Sequence, residues 1–407
     1  MLYSQKISHH SRSKKDAVSY LNVIVVGAAG SGKTCFIRTL YEALRQDMIQ
    51  GTFKESKHKS LKGCVEPTEE MYTISMQIED GGRRTALTLT DTPGFTSNSQ
   101  LVEQLKAITQ HIDSQFARTL AEESKVKRDA KASDTHVHAC IYFMSESNIH
   151  GLSEVDKFIL KALSSRVNVI PVLSKADTLS TAHVEKLKNI IKEEIFDVYR
   201  IPIYGHIQFD EDDEDEEMDD DNSIYKDGSY LSRAMDMLQE CVCEDRDEDA
   251  RSMLQYLRAI PFSLINYEED PHTGRPIQLI PGEASGSCYT STASLPEYSS
   301  HQNNSLDSVT SSSSLIRPQS LLGMGSRQTL GRRYPWAAVE CFNPTHCDFL
   351  ILKRILLSSH REMLKIDTFE CFYERYRTQQ LIGNRTVQNS PEDTPELDQE
   401  LGSPMLS

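Results

Sequence analysis

Apolar residues follow two different spacings through the first half of the chain. The runs 21–26 and 167–173 are almost continuously apolar, which is typical of strands buried on both faces of a sheet. The segment 71–78 alternates between polar and apolar positions, which predicts an edge strand. The predicted strands are 21–26, 71–78, 85–90, 137–144, 167–173, 201–209 and 261–265, and the predicted helices are 35–44, 99–120, 153–163 and 183–196.

The order of these elements predicts the fold class. Strands that alternate with helices form a doubly wound, mostly parallel α/β sheet with right-handed crossovers. In such folds ligands bind at the carboxyl ends of the strands. The segments of interest for function are therefore those that directly follow the strands at 21–26, 85–90 and 167–173.

The pattern is interrupted in two places and ends before the last residue. Residues 210–221 are acidic at every position except Met218, and residues 281–327 are rich in Ser, Thr, Gly and Asn. Chains of this composition bury too little apolar surface to offset the entropy lost on ordering. The expected boundaries are 1–19 for a flexible, weakly basic N-terminus, 20–382 for one folded domain, about 210–222 for an acidic insertion, about 281–328 for a disordered Ser-rich insertion, and 383–407 for a disordered tail.

Charge and cysteine usage narrow the class of protein. The chain of 407 residues has a formal net charge of -16 at pH 7, which argues against a broad nucleic-acid-binding surface. Its nine cysteines have irregular spacings that fit neither a zinc site nor a disulfide framework. The polar residues 1–20 do not predict a signal peptide, and no apolar run of about 18 residues predicts a membrane span. We therefore expect a cytoplasmic protein with no nucleic-acid partner.

The segment after the first predicted strand fits the phosphate-binding loop (P-loop) G-x-x-x-x-G-K-T. Its glycines let backbone N–H groups close around a polyphosphate, and the helix that follows adds the positive end of its dipole. We expect Lys33 to contact the β- and γ-phosphates and Thr34 to ligate Mg²⁺. The residues predicted to line this site are Gly27, Ala28, Ala29, Gly30, Ser31, Gly32, Lys33, Thr34 and Cys35.

Two further segments complete the predicted phosphate and metal site. Asp91 follows the strand 85–90 and is expected to hold Mg²⁺ through water, and Gly94 is expected to offer its backbone N–H to the γ-phosphate. In isolation, an ordinary four-residue turn looks the same. Thr68, in a polar loop, is a candidate to complete the Mg²⁺ shell and is the candidate catalytic residue. No Gln follows Gly94, so a Ras-type water-positioning residue is not predicted.

The sequence Ser-Lys-Ala-Asp at 174–177 follows the strand 167–173. In GTPases an Asp at this place accepts hydrogen bonds from N1 and the 2-amino group of guanine, a donor pair that adenine lacks. Lys175 is expected to pack its stem over the base. The alternative is structural: Asp177 caps the helix that runs from Leu179 onward. The order of the three motifs favours guanine, so the expected ligands are GTP or GDP with Mg²⁺.

A later segment resembles a known family. The sequence Gly-Arg-Arg-Tyr-Pro-Trp at 331–336, its continuation through 339–349 and the run Tyr-Glu-Arg-Tyr-Arg at 373–377 resemble the septin unique element and the end of the septin GTPase domain. The resemblance implies a P-loop GTPase domain that carries the septin unique element at about 331–382. It also implies a GTP-binding subunit of hetero-oligomeric septin filaments or rings, a cytoskeletal scaffold in cytokinesis and septation at the division site or cell cortex.

The resemblance assigns roles residue by residue. Arg332 matches the septin Arg that stacks on the base, and Thr68 matches the switch Thr linked to hydrolysis. Trp336 matches the aromatic at the centre of the nucleotide-side interface, where bound nucleotide is buried between subunits. His150 matches a His that reaches the partner's site, and Thr178 is the residue after the guanine-reading Asp. A second interface with other septins is expected at the terminal helices.

The sequence departs from the septin pattern at several positions. Septins usually continue Asp-Thr-Pro-Gly with x-Gly-Asp, whereas Gly94 is followed by Phe-Thr-Ser. Asn266 replaces the Gly that septins usually carry beneath the base, so it is a further candidate contact to the nucleotide. Ala337 replaces the Gly of Pro-Trp-Gly, and His183 replaces a Glu of the partner-facing loop. These changes leave GTP hydrolysis open and affect GTP binding less.

Three hypotheses for the function remain at this stage. The first is a structural subunit whose nucleotide is mainly an interface cofactor; the second is a slow GTPase switch that alters its interfaces. The third, a P-loop GTPase of another family, would leave the segment 331–349 unexplained. A weak contact with anionic membranes is expected from Arg12, Lys14 and Lys15. No heptad pattern follows Leu381, so the C-terminal coiled coil of many septins is not expected.

Overall fold

The structure is a computed structural model of the 407-residue chain. It describes residues 18–56, 61, 65–96, 98–125, 134–144, 151–207, 229–244, 246–277, 279 and 330–388. The N-terminus up to residue 17, both predicted insertions and the tail from residue 389 lie outside the described residues. His150 also lies outside them.

Among the residues that the structure describes, seven strands form the main sheet. They are β1 (Ser19–Gly27), β2 (Lys54–Glu55), β3 (Tyr72–Asp80), β4 (Arg83–Asp91), β5 (Ala139–Met144), β6 (Asn168–Leu173) and β7 (Phe262–Ser263). Their order across the sheet is β2-β3-β4-β1-β5-β6-β7. The β2–β3 and β3–β4 pairs are antiparallel and the other four pairs are parallel. The predicted mostly parallel, doubly wound α/β fold is confirmed.

Helices alternate with these strands, and a short hairpin follows. The helices are α1 (Lys33–Leu44), α2 (Asn98–Glu123), α3 (Glu154–Ser164), α4 (Thr181–Glu193), α5 (Tyr230–Glu244), α6 (Glu248–Ala259), α7 (Phe349–Arg354), α8 (Arg361–Asp367) and α9 (Glu374–Gln388). A two-stranded hairpin consists of β8 (Gly331–Arg333) and β9 (Ala338–Glu340). Within the described part of the chain, no helix combines the length and the apolar character that crossing a membrane requires.

The hydrophobic core is centred on the middle of the sheet. Every residue of β5 and β6 is buried, as continuous apolar strands covered on both faces should be. Phe36 of α1 packs against Phe143 of β5 and Phe349 of α7, with ring centroids 5.5 and 6.1 Å apart. This packing fixes α1, and with it the loop that precedes α1, against the end of β1.

Parallel pairing brings several strand ends to one edge of the sheet. Val25 pairs with Asp91 between β1 and β4, and Leu173 pairs with Ser263 between β6 and β7. The P-loop follows β1, and the guanine-motif segment 174–177 follows β6. The motifs that lie far apart in sequence therefore meet at the carboxyl edge, where doubly wound sheets bind their ligands.

One predicted strand is wrong where the structure describes it. Of the predicted strand 201–209, residues 201–207 are described; they form no strand but a turn at residues 204–205, and Tyr204 N donates to the Val169 carbonyl of β6 at 3.1 Å. Pro202 has no N–H to donate to a neighbouring strand, and Gly205 has the left-handed φ of 86°. The apolar side chains of this segment are buried, so the hydrophobic pattern reflects their packing against the core and not the formation of a strand.

Other details of the fold also differ from the prediction. The predicted strand 261–265 pairs with the sheet only over Phe262–Ser263. The predicted edge strand, which is β3, is second from the edge because the two-residue β2 pairs outside it. Residues 383–388 were expected in the disordered tail but continue α9. A helix that has already formed gains a hydrogen bond per added residue, and the first proline beyond it is Pro391.

Candidate nucleotide site

The P-loop joins β1 to α1 in the strand–loop–helix order that the motif requires. Gly30 and Gly32 have φ angles of 74° and 89°, which glycine adopts without the steric cost of a Cβ. These two left-handed residues turn the backbone sharply enough to make Lys33 the first residue of α1. A loop of this kind before a helix N-terminus directs backbone N–H groups into a concavity that suits an anion.

Lys33 lies over the loop that precedes it. Its side chain is buried, and Nζ donates hydrogen bonds to the carbonyl oxygens of Gly27 at 3.0 Å and Ala28 at 2.8 Å. Burial lowers the pKa of Lys33 to about 8, while the nearby Asp91 carboxylate opposes this shift. A phosphate beside this ammonium would supply the compensating negative charge that two neutral carbonyls do not.

The three predicted Mg²⁺ residues lie together. Oδ2 of Asp91 accepts hydrogen bonds from the hydroxyls of Thr34 at 2.6 Å and Thr68 at 2.9 Å, and the two hydroxyl oxygens are 3.2 Å apart. Asp91 is fully buried, and its Oδ1 has no hydrogen-bond partner among the described residues. Mg²⁺ prefers oxygen ligands, and an unsatisfied buried carboxylate oxygen is costly. This donor set therefore fits the ion that the sequence predicts.

The segment after Asp91 packs directly on the P-loop. Ala29 N donates to the carbonyl of Phe95 at 2.9 Å, and Phe95 N donates to the carbonyl of Gly27 at 3.2 Å. A Cβ on Gly94 would lie 2.4 Å from the Ala29 Cα, so only glycine permits this approach. Phe95 is itself buried. Phe95 was not among the predicted site residues, yet an apolar residue inside a polar loop was a signal that it docks.

Asp177 does not cap the following helix, so the structural alternative is wrong. It lies in a short 3₁₀ turn, Ala176–Thr178, while Ser180 caps α4 by accepting a hydrogen bond from His183 N. The Asp177 side chain is 0% exposed. The turn starts from Lys175, which has a left-handed φ of 49°, and Ala176 N donates to the carbonyl of Leu264, the residue after β7. Sequence alone could not separate a cap from a ligand-reading carboxylate, because both are an Asp beside a helix start.

The hairpin β8–β9 supplies the groups that contact Asp177. Oδ2 of Asp177 accepts hydrogen bonds from Arg332 Nη1 at 3.0 Å and from the Tyr334 hydroxyl. Oδ1 is buried and has no hydrogen-bond partner among the described residues. Arg332 was predicted to stack on a base, and in the structure it pairs with the carboxylate expected to read that base. Tyr334 was not predicted as a site residue, because its contact with Asp177 spans more than 150 positions of sequence.

Asn266 connects the end of the sheet to the P-loop. Its Nδ2 donates to the Gly32 carbonyl at 3.2 Å, and its Oδ1 is buried without a partner among the described residues. Cys35 is half-buried, and burial raises the pKa of its thiol. The Thr178 hydroxyl donates to the Lys175 carbonyl at 2.8 Å, so it stabilises the turn that carries Asp177. The predicted site residues that the structure describes thus surround one edge of the sheet.

The sequence model of the Septin family matches residues 18–230 and 287–390. The chain belongs to the septin family. The unmatched residues 231–286 include β7 and Asn266, the position at which this septin departs from the usual glycine. The fold is that of a P-loop GTPase domain, as the resemblance implied.

Individual relatives extend over most of the chain. The Septin homolog spn3 of Schizosaccharomyces pombe is 30% identical to this septin over 91% of this chain and 75% of that protein. Septin-4 of Homo sapiens is 29% identical over 91% of this chain and 58% of its own length. The crystal structure of the septin GTPase domain from Chlamydomonas reinhardtii has 20% identity and a TM-score of 0.49, covering 89% of this chain and 100% of that chain.

Proposed function

We propose that this septin binds GTP or GDP between the P-loop and Asp177, and that the bound nucleotide shapes a surface through which it joins other septins. The observation that carries this proposal is the meeting of the phosphate and base motifs at one edge of the sheet. The same edge carries the hairpin β8–β9, whose tip holds the exposed Trp336. Nucleotide site and candidate interface are therefore adjacent.

The phosphates would bind at the loop between β1 and α1. Lys33 would pair with the β- and γ-phosphates, and its lowered pKa would rise again beside those negative charges. Thr34, Asp91 and Thr68 would hold Mg²⁺, directly or through water. When bound, the ion neutralises negative charge on the phosphate oxygens. The geometry of these residues supports binding without assigning a step of hydrolysis to any of them.

The base would bind at Asp177. A carboxylate has two acceptor oxygens, and guanine offers two N–H donors from N1 and its 2-amino group. Adenine cannot pair with both oxygens, so a buried Asp177 would be left partly unsatisfied. Arg332 extends from the hairpin to this carboxylate and is placed to pack against a bound base.

The surfaces for other septins would lie at two ends of the domain. Trp336 is 76% exposed at the hairpin tip, and large exposed aromatic side chains often anchor interfaces. Thr178 belongs to the turn that carries Asp177, and His150 is the third predicted contact of this nucleotide-side surface. At the terminal helices, Phe369 is 45% exposed and Ile382 is 57% exposed. These two surfaces would allow hetero-oligomeric filaments or rings that act as a cytoskeletal scaffold in cytokinesis, at the division site or cortex.

A second candidate function is a slow GTPase switch. Its specific support is Thr68, the candidate catalytic residue, which is hydrogen-bonded to Asp91 and lies beside Thr34. Nucleotide extracted from the purified protein after long incubation would separate the two functions. Accumulating GDP would support the switch, whereas GTP that stays unchanged would support a nucleotide held only for assembly.

The variant Asp177→Asn tests guanine recognition directly. Xanthine carries a carbonyl where guanine has its 2-amino group, so an amide donor at this position fits xanthosine diphosphate and not GDP. In calorimetric titrations we expect the variant to bind xanthosine diphosphate more tightly than GDP, the reverse of the wild-type order. Asp236→Asn, on the exposed surface of α5, is the matched control and should keep the wild-type preference. An unchanged preference for GDP in Asp177→Asn would contradict the proposal.

A further inference from the structure

The carboxylate of Asp177 is closed off by the hairpin. Its side chain is 0% exposed, and its Oδ2 accepts hydrogen bonds from both Arg332 and Tyr334. Its Oδ1 is also buried and has no partner among the described residues. A guanine base that pairs with both oxygens therefore has to compete at Oδ2 with these hairpin donors. The closed arrangement therefore competes with the base for the same carboxylate.

The side chain that closes the site is coupled to the exposed tryptophan. The rings of Tyr334 and Trp336 stack with centroids 5.4 Å apart and planes at 14°. Tyr334 N donates to the Ala337 carbonyl at 2.7 Å, which closes the turn that holds Trp336. The Arg332 guanidinium lies 5.8 Å from the Tyr334 ring centroid. A displacement of Tyr334 from Asp177 would therefore also move Trp336.

The base of the hairpin is held in place, so the movement would be confined to its tip. Glu268 N donates to the Gly331 carbonyl at 2.8 Å, and Cys341 N donates to the Leu330 carbonyl at 2.8 Å. A Cβ on Gly331 would lie 2.0 Å from the Val339 carbonyl oxygen, so the two strands are in close contact there. The tip, by contrast, is exposed at residues 335–337.

We propose that Tyr334 is a gate over the guanine-reading carboxylate: its hydroxyl occupies Asp177 when no nucleotide is bound, and guanine binds by replacing it and shifting Trp336. This inference rests on the proposed role of Asp177 in reading guanine. Burial and the hydrogen bond to Asp177 raise the pKa of Tyr334 to about 12, so the hydroxyl keeps its proton and acts as a donor at neutral pH. Guanine offers two N–H donors in exchange for this single hydroxyl, and would satisfy Oδ1 as well as Oδ2.

Tyr334→Phe tests the gate because it removes the hydroxyl and keeps the ring on Trp336. We expect GDP to bind this variant about tenfold more tightly than wild type, since no hydroxyl must first be displaced from the carboxylate. The measurement is calorimetric titration of GDP into protein stripped of nucleotide by Mg²⁺ chelation. Tyr199→Phe is the matched control: its hydroxyl accepts a hydrogen bond from Lys157 Nζ at 2.6 Å, and its loss should leave GDP affinity unchanged.

Fluorescence supplies a second measurement, because Trp336 is the single tryptophan of the chain. Adding GDP to stripped wild-type protein should change its emission as the stacked Tyr334 shifts, and adding ATP should not. Unchanged GDP affinity in Tyr334→Phe, or an emission that GDP does not alter, would overturn the gate and leave guanine recognition intact. If Asp177→Asn and wild type bind GDP equally well, the proposed recognition by Asp177 fails, and the gate fails with it.

Discussion

Protonation of His360 is expected to loosen the terminal helices. His360 joins the π-helical segment Ile355–Ser359 to α8 and is 0% exposed. Its Nδ1 is 2.8 Å from the Tyr204 hydroxyl oxygen, and its Nε2 is 2.9 Å from Ser252 Oγ. Both partners are neutral, and the positive charge of Arg354 opposes protonation. The neutral imidazole thus holds the terminal helices, which carry one of the two proposed interfaces, against Ser252 of α6 and Tyr204 of the segment 201–207.

The size of the effect follows from the shift in the pKa of this histidine. Burial lowers the pKa of His360 from its ordinary value of 6.5 to about 4. Between these two values the unfolded chain binds a proton that the native state does not, so stability falls as the pH falls through the unfolded value. The free energy of unfolding therefore falls by about 2 kcal/mol between pH 7 and pH 5, and the total loss relative to pH 7 reaches about 3 kcal/mol below pH 4.

The assay compares urea denaturation at pH 7 and pH 5 for wild type and His360→Gln. Glutamine does not titrate, so the free energy of unfolding of the variant should lose about 2 kcal/mol less on acidification than that of wild type. The constant cost of lost packing cancels in this difference. His272→Gln, at an exposed histidine, should retain the wild-type pH dependence. Equal pH dependence in His360→Gln and wild type would refute the reasoning.

Two further predictions concern the nucleotide and the interface. Lys33→Ala should lose its bound nucleotide during purification, which chromatography of the nucleotide extracted from the protein measures. Lys186→Ala, at an exposed lysine, is the control and should retain its nucleotide. If Lys33→Ala still held GTP, the P-loop assignment would be contradicted. Trp336→Ala should weaken the nucleotide-side contact between subunits by about 2 kcal/mol, or about 30-fold. Sedimentation equilibrium measures this, and an unchanged association constant would argue against Trp336 as an interface anchor.

The prediction of the sheet succeeded where the hydrophobic pattern was continuous. The runs that became β1 and β6 are apolar at nearly every position, which is the pattern expected of strands covered on both faces. It failed at 201–207, where apolar side chains are buried but the backbone forms no strand, although Tyr204 N donates to the Val169 carbonyl of β6. Hydrophobic spacing reports burial, whereas strand pairing also requires backbone donors that Pro202 lacks and a geometry that Gly205 interrupts.

The sequence by itself determined which chemical groups are available to a nucleotide. Lys33, Asp91 and Asp177 belong to local motifs whose residue types and spacing identify them, because each motif needs only one strand and the loop after it. The segment 331–349 identified the family in the same way. Such motifs can be recognised from the sequence alone because each depends on a short, continuous stretch of backbone.

Only the tertiary structure decided what those groups contact. Tyr334 and Asp177 are joined by a hydrogen bond between distant parts of the chain, and the pairing of Phe95 with the P-loop depends on how two strand ends meet. Asn266 likewise contacts Gly32 across the edge of the sheet. Contacts of this kind depend on the folding of the whole domain, which sets the position of each strand end relative to the others. For that reason the sequence identified the candidate nucleotide-binding residues, whereas the contacts of Arg332 and Tyr334 with Asp177 emerged only from the fold.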